Sequence, residues 1–323
     1  MGATIQATIA FFVLAGSMLA AGAHAQQNYP TKPIRLIVPF PPGGNSDLMA
    51  RILAPKLTET FKQSVVVDNR PGGGTTIGTE IAVRANPDGY TMFLASSAYA
   101  AIAALNKLPY DPVNDVTPIA MIGESGAVVT LYPSLPIASI KELIAYDKAN
   151  PGKLNYGSSG TGSSVHLATE FFNQMAGTRM THVPYKGVGP ALNDLIGGQI
   201  QFLIGGLPAM VQHVRSNRVR GIAVTTARRS NVMPDIPTVA ETVPGYEHVT
   251  WVAMLGPKAL PKGIVARWSN EINRILQLPD VQARMAGDGM EPASGSPKRF
   301  GEVLKRDVAK WQKVVKMAGI KAD

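Results

Sequence analysis

The 323-residue chain contains no cysteine. It can therefore form no disulfide, no thiolate metal site and no thiol nucleophile, and its folded state must depend on packing. Metal-binding histidine patterns are missing too, because none of His166, His182, His213 and His248 has a histidine four residues away or lies in an HExxH motif. We therefore expect no metal site.

The motifs of nucleotide binding and acyl-enzyme chemistry are also missing. Gly160-Thr161-Gly162 begins like a dinucleotide fingerprint, but Val165 stands where the third glycine is required. No segment ends in the Gly-Lys-Ser/Thr of a phosphate-binding loop, and no serine has the G-x-S-x-G spacing of a nucleophile elbow. We expect no cofactor and no catalysis; a hydrolase that uses Ser163 near His166 is the less favoured alternative.

Long apolar runs are limited to the amino terminus. The first 25 residues carry no Lys, Arg, Asp or Glu, and an apolar run over residues 9–21 ends at Ala23-His24-Ala25. This pattern predicts a signal peptide at residues 1–25, cleaved after Ala25, and hence a periplasmic protein. The alternative is a retained membrane anchor, although the run is short for a spanning helix and is interrupted by Gly16 and Ser17.

The formal net charge of +9 would suit a nucleic acid, an anionic surface or an acidic ligand. The basic residues are scattered, however, and their densest stretch, residues 298–316, also carries apolar residues at helical spacing. This pattern is typical of an amphipathic helix whose basic side chains face water. Because aromatic residues do not interleave with the basic ones, we expect no nucleic-acid binding.

Short apolar runs alternate with helical patterns along most of the chain, which is typical of βαβ units around mostly parallel sheets. The predicted strands are residues 34–40, 65–68, 91–95, 128–131, 154–157, 181–184, 202–205 and 222–225. The predicted helices are residues 47–61, 75–85, 140–148, 164–176, 190–196 and 208–216, and helices dominate from residue 261 to the end. The fold class is therefore α/β.

Two glycine-rich loops each join a predicted strand to a predicted helix, one over residues 39–47 and the other over residues 157–164. The backbone N–H groups at a helix start are unpaired and carry the positive end of the helix dipole, and glycine lets a ligand approach them closely. A turn with a helix cap is the alternative for either loop alone. Two such loops at the carboxyl ends of strands favour a site for an anion.

Nine segments in order carry a family pattern: Tyr29–Ile34, Val38–Gly44, Asp68–Gly74, Pro87–Thr91, Ser158–Ser164, Val183–Gly187, Asp194–Gly198, Pro234–Thr238 and Trp311–Ile320. Through them the chain resembles the Bug-type (TctC-like) extracytoplasmic solute receptors of the tripartite tricarboxylate transporter system. The resemblance extends over essentially all of the chain after residue 25.

The resemblance implies a type II periplasmic-binding-protein fold with two doubly wound lobes joined by a hinge. Lobe 1 would comprise residues 26–126 and 250–323, and lobe 2 residues 127–249. The implied function is that a monomer captures a small organic carboxylate between the lobes and delivers it to the membrane permease subunits of the carrier. A receptor that reports the carboxylate to a signalling partner is the alternative.

The resemblance also implies ligand-binding residues in both lobes. One wall would be formed by Phe40, Gly43, Gly44, Asn45, Ser46 and Asp47, and the other by Ser158, Gly160, Thr161, Gly162 and Ser163. Ser97, Tyr185 and Gly205 would meet the far end of the ligand. Because an ionised carboxylate repels an anion, Asp47 is expected to cap the helix or to orient loop amides. Gln201 and the pair Gly205-Gly206 depart from the family pattern, which leaves the polarity and size of the far pocket open.

Overall fold

The computed structural model of the protein describes residues 29–42, 45–287 and 289–320. The predicted signal peptide and the pair Gly43-Gly44 lie outside these residues. Among the described helices, none combines the length and the apolar character that crossing a membrane requires.

The strands are β1 (Ile34–Val38), β2 (Val65–Asn69), β3 (Thr91–Ser96), β4 (Val116–Leu131), β5 (Asn155–Ser158), β6 (Thr181–Pro184), β7 (Phe202–Gly206), β8 (Arg220–Val224), β9 (Val249–Pro257) and β10 (Glu291–Pro292). The helices are α1 (Asn45–Phe61), α2 (Thr76–Val83), α3 (Ser97–Leu105), α4 (Ile140–Ala149), α5 (Ser164–Ala176), α6 (Val188–Ile196), α7 (Leu207–Arg215), α8 (Lys262–Ile275), α9 (Pro279–Gly287) and α10 (Pro297–Ala318).

The first half of the fold is a sheet in the order β2-β1-β3-β9-β4. β1, β2 and β3 are parallel, and β9 runs antiparallel to both of its neighbours. Successive residues of β1 enter different cores: Leu36 packs with Leu53 and Trp268 on one face, whereas Ile37 belongs to the core of Tyr99 and Trp311 on the other. Because both faces are covered by helices, β1 is apolar along nearly its whole length.

The second half repeats this plan with the order β6-β5-β7-β4, and β8 pairs with the other edge of β4. β5 is parallel to β6 and β7, and β4 is the antiparallel strand. Val129 and Phe172 lie in the core on one face, and Val128 and Met210 lie in the core on the other. Each half is therefore a doubly wound α/β layer with helices on both sides.

β4 connects the two halves. Its residues Val116–Gly126 pair with β9, whereas Ala127–Leu131 pair with β7 and β8. The return connection enters β9 at Val249, opposite Gly126. The two halves also touch through helices, since Phe171 of α5 meets Trp311 of α10 edge to face, with ring centroids 6.3 Å apart.

The predicted strands and helices are confirmed, with end shifts of a few residues. Four elements were missed: α3, β9, the two-residue β10 and the first twelve residues of β4. The helix α3 is packed between the sheet and α10, so its sequence, SAYAAIAAL, has no polar face. Without a polar face it shows no alternation of apolar and polar residues at helical spacing. In β4 the polar Thr117 and Glu124 interrupt the apolar run.

Candidate functional site

A cavity of about 360 Å³ lies between the two halves of the fold. Its walls come from the loop after β1, the turn from β3 into α3, the start of α5, the strand β9 and residue 290. The lining residues are Phe40, Pro41, Pro42, Ser46, Ser96, Ser97, Ala98, Ser164, Thr250, Trp251, Val252 and Met290. Open α/β sheets bind ligands in such places, at the carboxyl ends of their parallel strands.

Three helices begin at this cavity. Ser96 caps α3, its hydroxyl accepting the amide of Ala98 at 3.2 Å, and Ser163 caps α5, its hydroxyl accepting the amide of His166 at 3.3 Å. A helix start has about four amides without an intrahelical partner, so one cap leaves others available. None of the described lining residues is charged, and an anion here would be met by amides, hydroxyls and helix dipoles.

The loop that leads into α1 is held by a charged network. The buried carboxylate of Asp47 accepts from the Arg51 guanidinium (Nε to Oδ2) at 2.9 Å and from the Asn69 side-chain amide (Nδ2 to Oδ1) at 2.9 Å. Asn69 also donates to the backbone carbonyl of Phe40 at 3.1 Å. Asp47 thus links α1 to the end of β2, and Asn69 links both to the loop. The predicted role of Asp47 as a helix cap or as a group that orients loop amides stays a prediction.

The loop that leads into α5 is held by uncharged groups. Gly160 and Gly162 have φ angles of 121° and 73°, a region that favours glycine. The fully buried Ser158 hydroxyl accepts the Gly160 amide at 3.1 Å and lies 2.6 Å from His182 Nε2. At the other end of the loop, the Gly162 amide donates to His166 Nδ1 at 2.9 Å.

The two imidazoles that hold this loop are stacked on each other. The ring centroids of His166 and His182 are 3.8 Å apart with a 9° angle between planes, and Tyr156 stacks on His182 at 4.9 Å. The Tyr156 hydroxyl is in turn 2.5 Å from Glu170 Oε1. Burial lowers the pKa of His166 to about 4, with the nearby His182 as a second cause, and burial also lowers the pKa of His182. Both rings are therefore uncharged at neutral pH.

These contacts do not form the serine–histidine pair that the hydrolase alternative requires at Ser163 and His166. Ser163 uses its hydroxyl as a helix cap, and His166 Nδ1 faces the Gly162 amide instead of a hydroxyl. Ser158 does lie beside a histidine, but the residue has 0% exposure. Ser158, Ser163 and His166 thus each hold a backbone amide of the loop or of the helix start.

Several predicted residues lie outside the cavity lining. Tyr185 donates its hydroxyl to Asp194 at 2.7 Å, and burial raises its pKa to about 12. Gly205 is buried at the end of β7 against Met210. Gln201 stands at the opposite, amino end of β7, where it accepts the Asn155 amide at 3.1 Å. Thr161 is exposed, and Asn45 is the first residue of α1.

Sequence reasoning missed the floor of the cavity. Thr250, Trp251 and Val252 belong to β9, and the apolar run over residues 251–255 was the signal that could have found it. No sequence pattern pointed to Met290 as a residue of the cavity. Met290 also borders a larger cavity of about 1190 Å³, whose charged lining residues are Glu124, Arg215, Arg228, Arg229, Glu247, Glu291 and Arg299.

Two doubly wound halves that share β4 and β9 and enclose a cavity at their strand ends define a two-lobed ligand-binding protein of the type II periplasmic-binding class. The family model described as "Tripartite tricarboxylate transporter family receptor" matches residues 49–320, and the chain belongs to this family. The family consists of periplasmic, extracytoplasmic receptors that bind solutes. The predicted Bug-type membership and fold are confirmed.

Individual relatives are similar over nearly their whole length. Protein BugT of Bordetella pertussis is 36% identical over 319 residues, which cover 98% of this chain and 97% of BugT. An R. palustris protein, whose structure was solved with adipate, is 36% identical in sequence. The match covers 91% of this chain and 99% of the R. palustris chain, with a TM-score of 0.74. MatC from Rhodopseudomonas palustris with bound malate is 27% identical, with coverages of 89% and 100% and a TM-score of 0.71.

Proposed function

We propose that the protein is a monomeric periplasmic receptor that captures a small organic carboxylate between its lobes and delivers it to the membrane permease of a tripartite carrier. One observation carries this proposal: three helix starts from both halves meet at a cavity with no charged residue in its described lining. Amide dipoles can hold a carboxylate there without a counter-charge. The mature chain would begin after cleavage at Ala25.

The lobes of this proposal comprise residues 26–126 with 250–323, and residues 127–249. The exchange of β4 partners between Gly126 and Ala127, opposite Val249 of β9, supports this division. Rotation about these two strands would move the loop before α5 toward the loop before α1. Closure around a carboxylate would exclude water and strengthen its hydrogen bonds to the loop amides.

A dicarboxylate is the ligand class that we favour. The two similar structures contain adipate and malate, both of which are dicarboxylates. One carboxylate would sit at the helix starts beside Ser97 and Ser164. The far end would then point past Met290, which borders both cavities.

The first test is a thermal-shift screen of residues 26–323 against mono-, di- and tricarboxylates, including adipate and malate. A ligand that binds only the folded state stabilises it by RT ln(1 + [L]/Kd), or about 2.7 kcal/mol at a hundredfold excess over Kd. We expect a saturable rise in melting temperature with one acid, and recovery of that acid unchanged. No shift with any acid would contradict the proposal, and turnover of the acid would favour an enzyme.

A pair of substitutions tests the site. Ser164 is the first residue of α5 and lines the cavity. In Ser164→Glu the new carboxylate suits a helix start but repels an anion in the cavity, so binding should weaken at least tenfold without loss of stability. Ser164→Gln has nearly the same volume and no charge, and should weaken binding only a fewfold. Equal losses in calorimetry would argue against an anionic ligand at this position.

Delivery to a permease is tested separately. Uptake of the radiolabelled acid by cells should require both the receptor and the permease subunits of a tripartite carrier. If the receptor binds the acid but uptake does not depend on it, a sensing role becomes the better explanation.

A further inference from the structure

We propose that His166 is a positioning residue for ligand binding, whose uncharged ring fixes the Gly162 amide and thereby the shape of the loop that leads to Ser164 at the cavity. This inference rests on the function proposed above and adds a residue that does not line the cavity itself. It concerns the second loop, residues 158–163, which leads from β5 into α5.

The loop is tied to the imidazole pair at both of its ends. The Ser158 hydroxyl meets His182 Nε2 at 2.6 Å, and the Gly162 amide meets His166 Nδ1 at 2.9 Å. Within the loop, the Ser163 amide donates to the Gly160 carbonyl at 3.1 Å. Because Gly160 and Gly162 have left-handed φ angles and no side chains, the two outer ties decide which way the loop amides point.

The bond to Gly162 fixes the chemical state of the ring. Nδ1 must accept a hydrogen bond, so His166 is neutral and carries its proton on Nε2. A protonated ring would turn an Nδ1–H toward the Gly162 N–H, and two donors cannot share that contact. The loop conformation seen here therefore requires the uncharged imidazole.

The surroundings favour that uncharged state. His182 of β6 stacks on the ring at 3.8 Å, and Tyr156 of β5 completes the stack. Glu170 lies one turn further along α5, where its carboxylate is bonded to the Tyr156 hydroxyl and to the Asn173 side-chain amide. Burial lowers the pKa of His166 to about 4.

The other elements packed against α5 bring few charges. α3 has the sequence SAYAAIAAL, in which Tyr99 is the only titratable group, and β7 has the sequence FLIGG, with none. α10 brings Lys310, which lies over the Phe171 ring on α5 at 5.2 Å from its centroid. The ring thus remains neutral at pH 7, where a carboxylate ligand is ionised.

The test uses two substitutions of His166 in the mature chain. His166→Asn keeps an acceptor, because Asn Oδ1 can occupy the place of Nδ1, but it cannot titrate. His166→Phe keeps a ring that stacks on His182 but has no acceptor. Melting temperatures establish that both variants fold, and a structural role in stacking alone would be met better by Phe than by Asn.

The first readout needs no ligand. In ¹⁵N-labelled wild-type protein, NMR should show a scalar coupling between the Gly162 amide nitrogen and His166 Nδ1, and the His166 ring should titrate as the Nε2–H tautomer. The Gly162 amide should exchange with solvent at least tenfold faster in His166→Phe than in His166→Asn. Absence of the coupling in the wild type, or equal exchange in the two variants, would overturn the proposal.

The second readout is calorimetry with adipate and malate as probes at pH 7. We expect His166→Asn to retain affinity within about threefold of the wild type and His166→Phe to lose at least fivefold. Equal affinities in the two variants would refute the positioning role. If the wild type binds neither probe nor any acid of the wider panel, the proposed function fails, while the NMR readout still decides whether His166 holds Gly162.

Discussion

The two loops at the cavity perform the same task with opposite chemistry. Each follows a central parallel strand and ends at a helix start, so each has to hold loop amides in place. The loop before α1 is held by the buried charge of Asp47, bonded to Arg51 and Asn69. The loop before α5 is held by the neutral rings of His166 and His182.

This difference indicates which change would disrupt the conformation of each loop. A buried carboxylate with two charged or polar partners is costly to remove, because its partners lose their bonds in a site with little water. A neutral imidazole is costly to protonate, because its acceptor nitrogen becomes a donor. The first loop should therefore be sensitive to truncation and the second to acid.

The largest effect is expected from Asp47→Ala. The Asp47 side chain is 2% exposed, and its removal leaves the Asn69 amide with only the Phe40 carbonyl. We expect a loss of about 3 kcal/mol in the free energy of unfolding, measured in urea, and weaker carboxylate binding. Arg51 is half exposed and regains water, which limits the cost.

Asp47→Asn is the matched control. It keeps the side-chain volume and an oxygen that can accept from Asn69, but it loses the charge that Arg51 requires. A loss of about 1 kcal/mol in the free energy of unfolding is expected, because the ion pair that is removed is largely solvent-exposed on the arginine side. If the two variants are equally unstable, the charge and not the hydrogen bond to Asn69 holds the loop.

Acid should act on the second loop. The pKa of His166 is about 4 in the folded protein, below the value of about 6.5 for an unfolded histidine. The unfolded chain therefore binds more protons between these values, and stability that is complete above pH 6.5 falls as the pH drops toward 4. Between pH 7 and 4.5 the loss due to His166 should be about 2 kcal/mol.

Urea unfolding at pH 7 and at pH 4.5 measures this loss. His248, whose pKa burial lowers to about 3, adds a second contribution with the same sign. His166→Asn should therefore lose less stability over this range than the wild type, by about 2 kcal/mol, while His248 and His182, whose pKa values burial also lowers, still contribute to the pH dependence. Identical pH profiles for wild type and variant would mean that His166 already titrates normally in the folded state.

The sequence predicted what local patterns encode. The apolar runs of β1 to β3 and β5 to β8 and the glycines and serines before α1 and α5 lie within short segments, so strands, helix starts and both loops could be placed. The long-range contacts that hold the two loops are less visible in the sequence. Asp47 pairs with Asn69 across 22 residues, and Ser158 with His182 across 24, and only the strand order brings them together.

The cavity floor depends on strand order as well as on a local pattern. The apolar run over residues 251–255 could have predicted a strand, but no spacing in the sequence predicts that this strand is antiparallel and lies between β3 and β4. That position brings Trp251 to the same cavity as Phe40 across more than 200 residues. Side-chain direction is equally hidden. Tyr185 follows β6 as a ligand-facing residue would, yet its ring turns toward Gly157 and its hydroxyl to Asp194. Its predicted ligand contact stays a prediction.

A small loss of stability, with a clear difference in ligand binding, is expected from substitutions at two glycines with the same φ angle. Gly162 in the second loop and Gly152 in a surface turn both have φ of +73°. A Cβ on Gly152 would meet nothing within 4 Å, whereas one on Gly162 would lie 2.6 Å from the flexible Leu105 Cδ1 of α3. Alanine at either site should cost about 1 kcal/mol for the left-handed conformation.

The two variants should differ in their affinity for the carboxylate ligand. Gly162→Ala disturbs the loop that leads to Ser164 at the cavity and should weaken carboxylate binding at least tenfold, because the strained backbone shifts the amide held by His166. Gly152→Ala should bind like the wild type in calorimetry. Adding Leu105→Ala to Gly162→Ala removes the contact with α3 but not the backbone strain. Affinity restored by that second change would show that crowding against α3, and not the left-handed backbone, controls the loop.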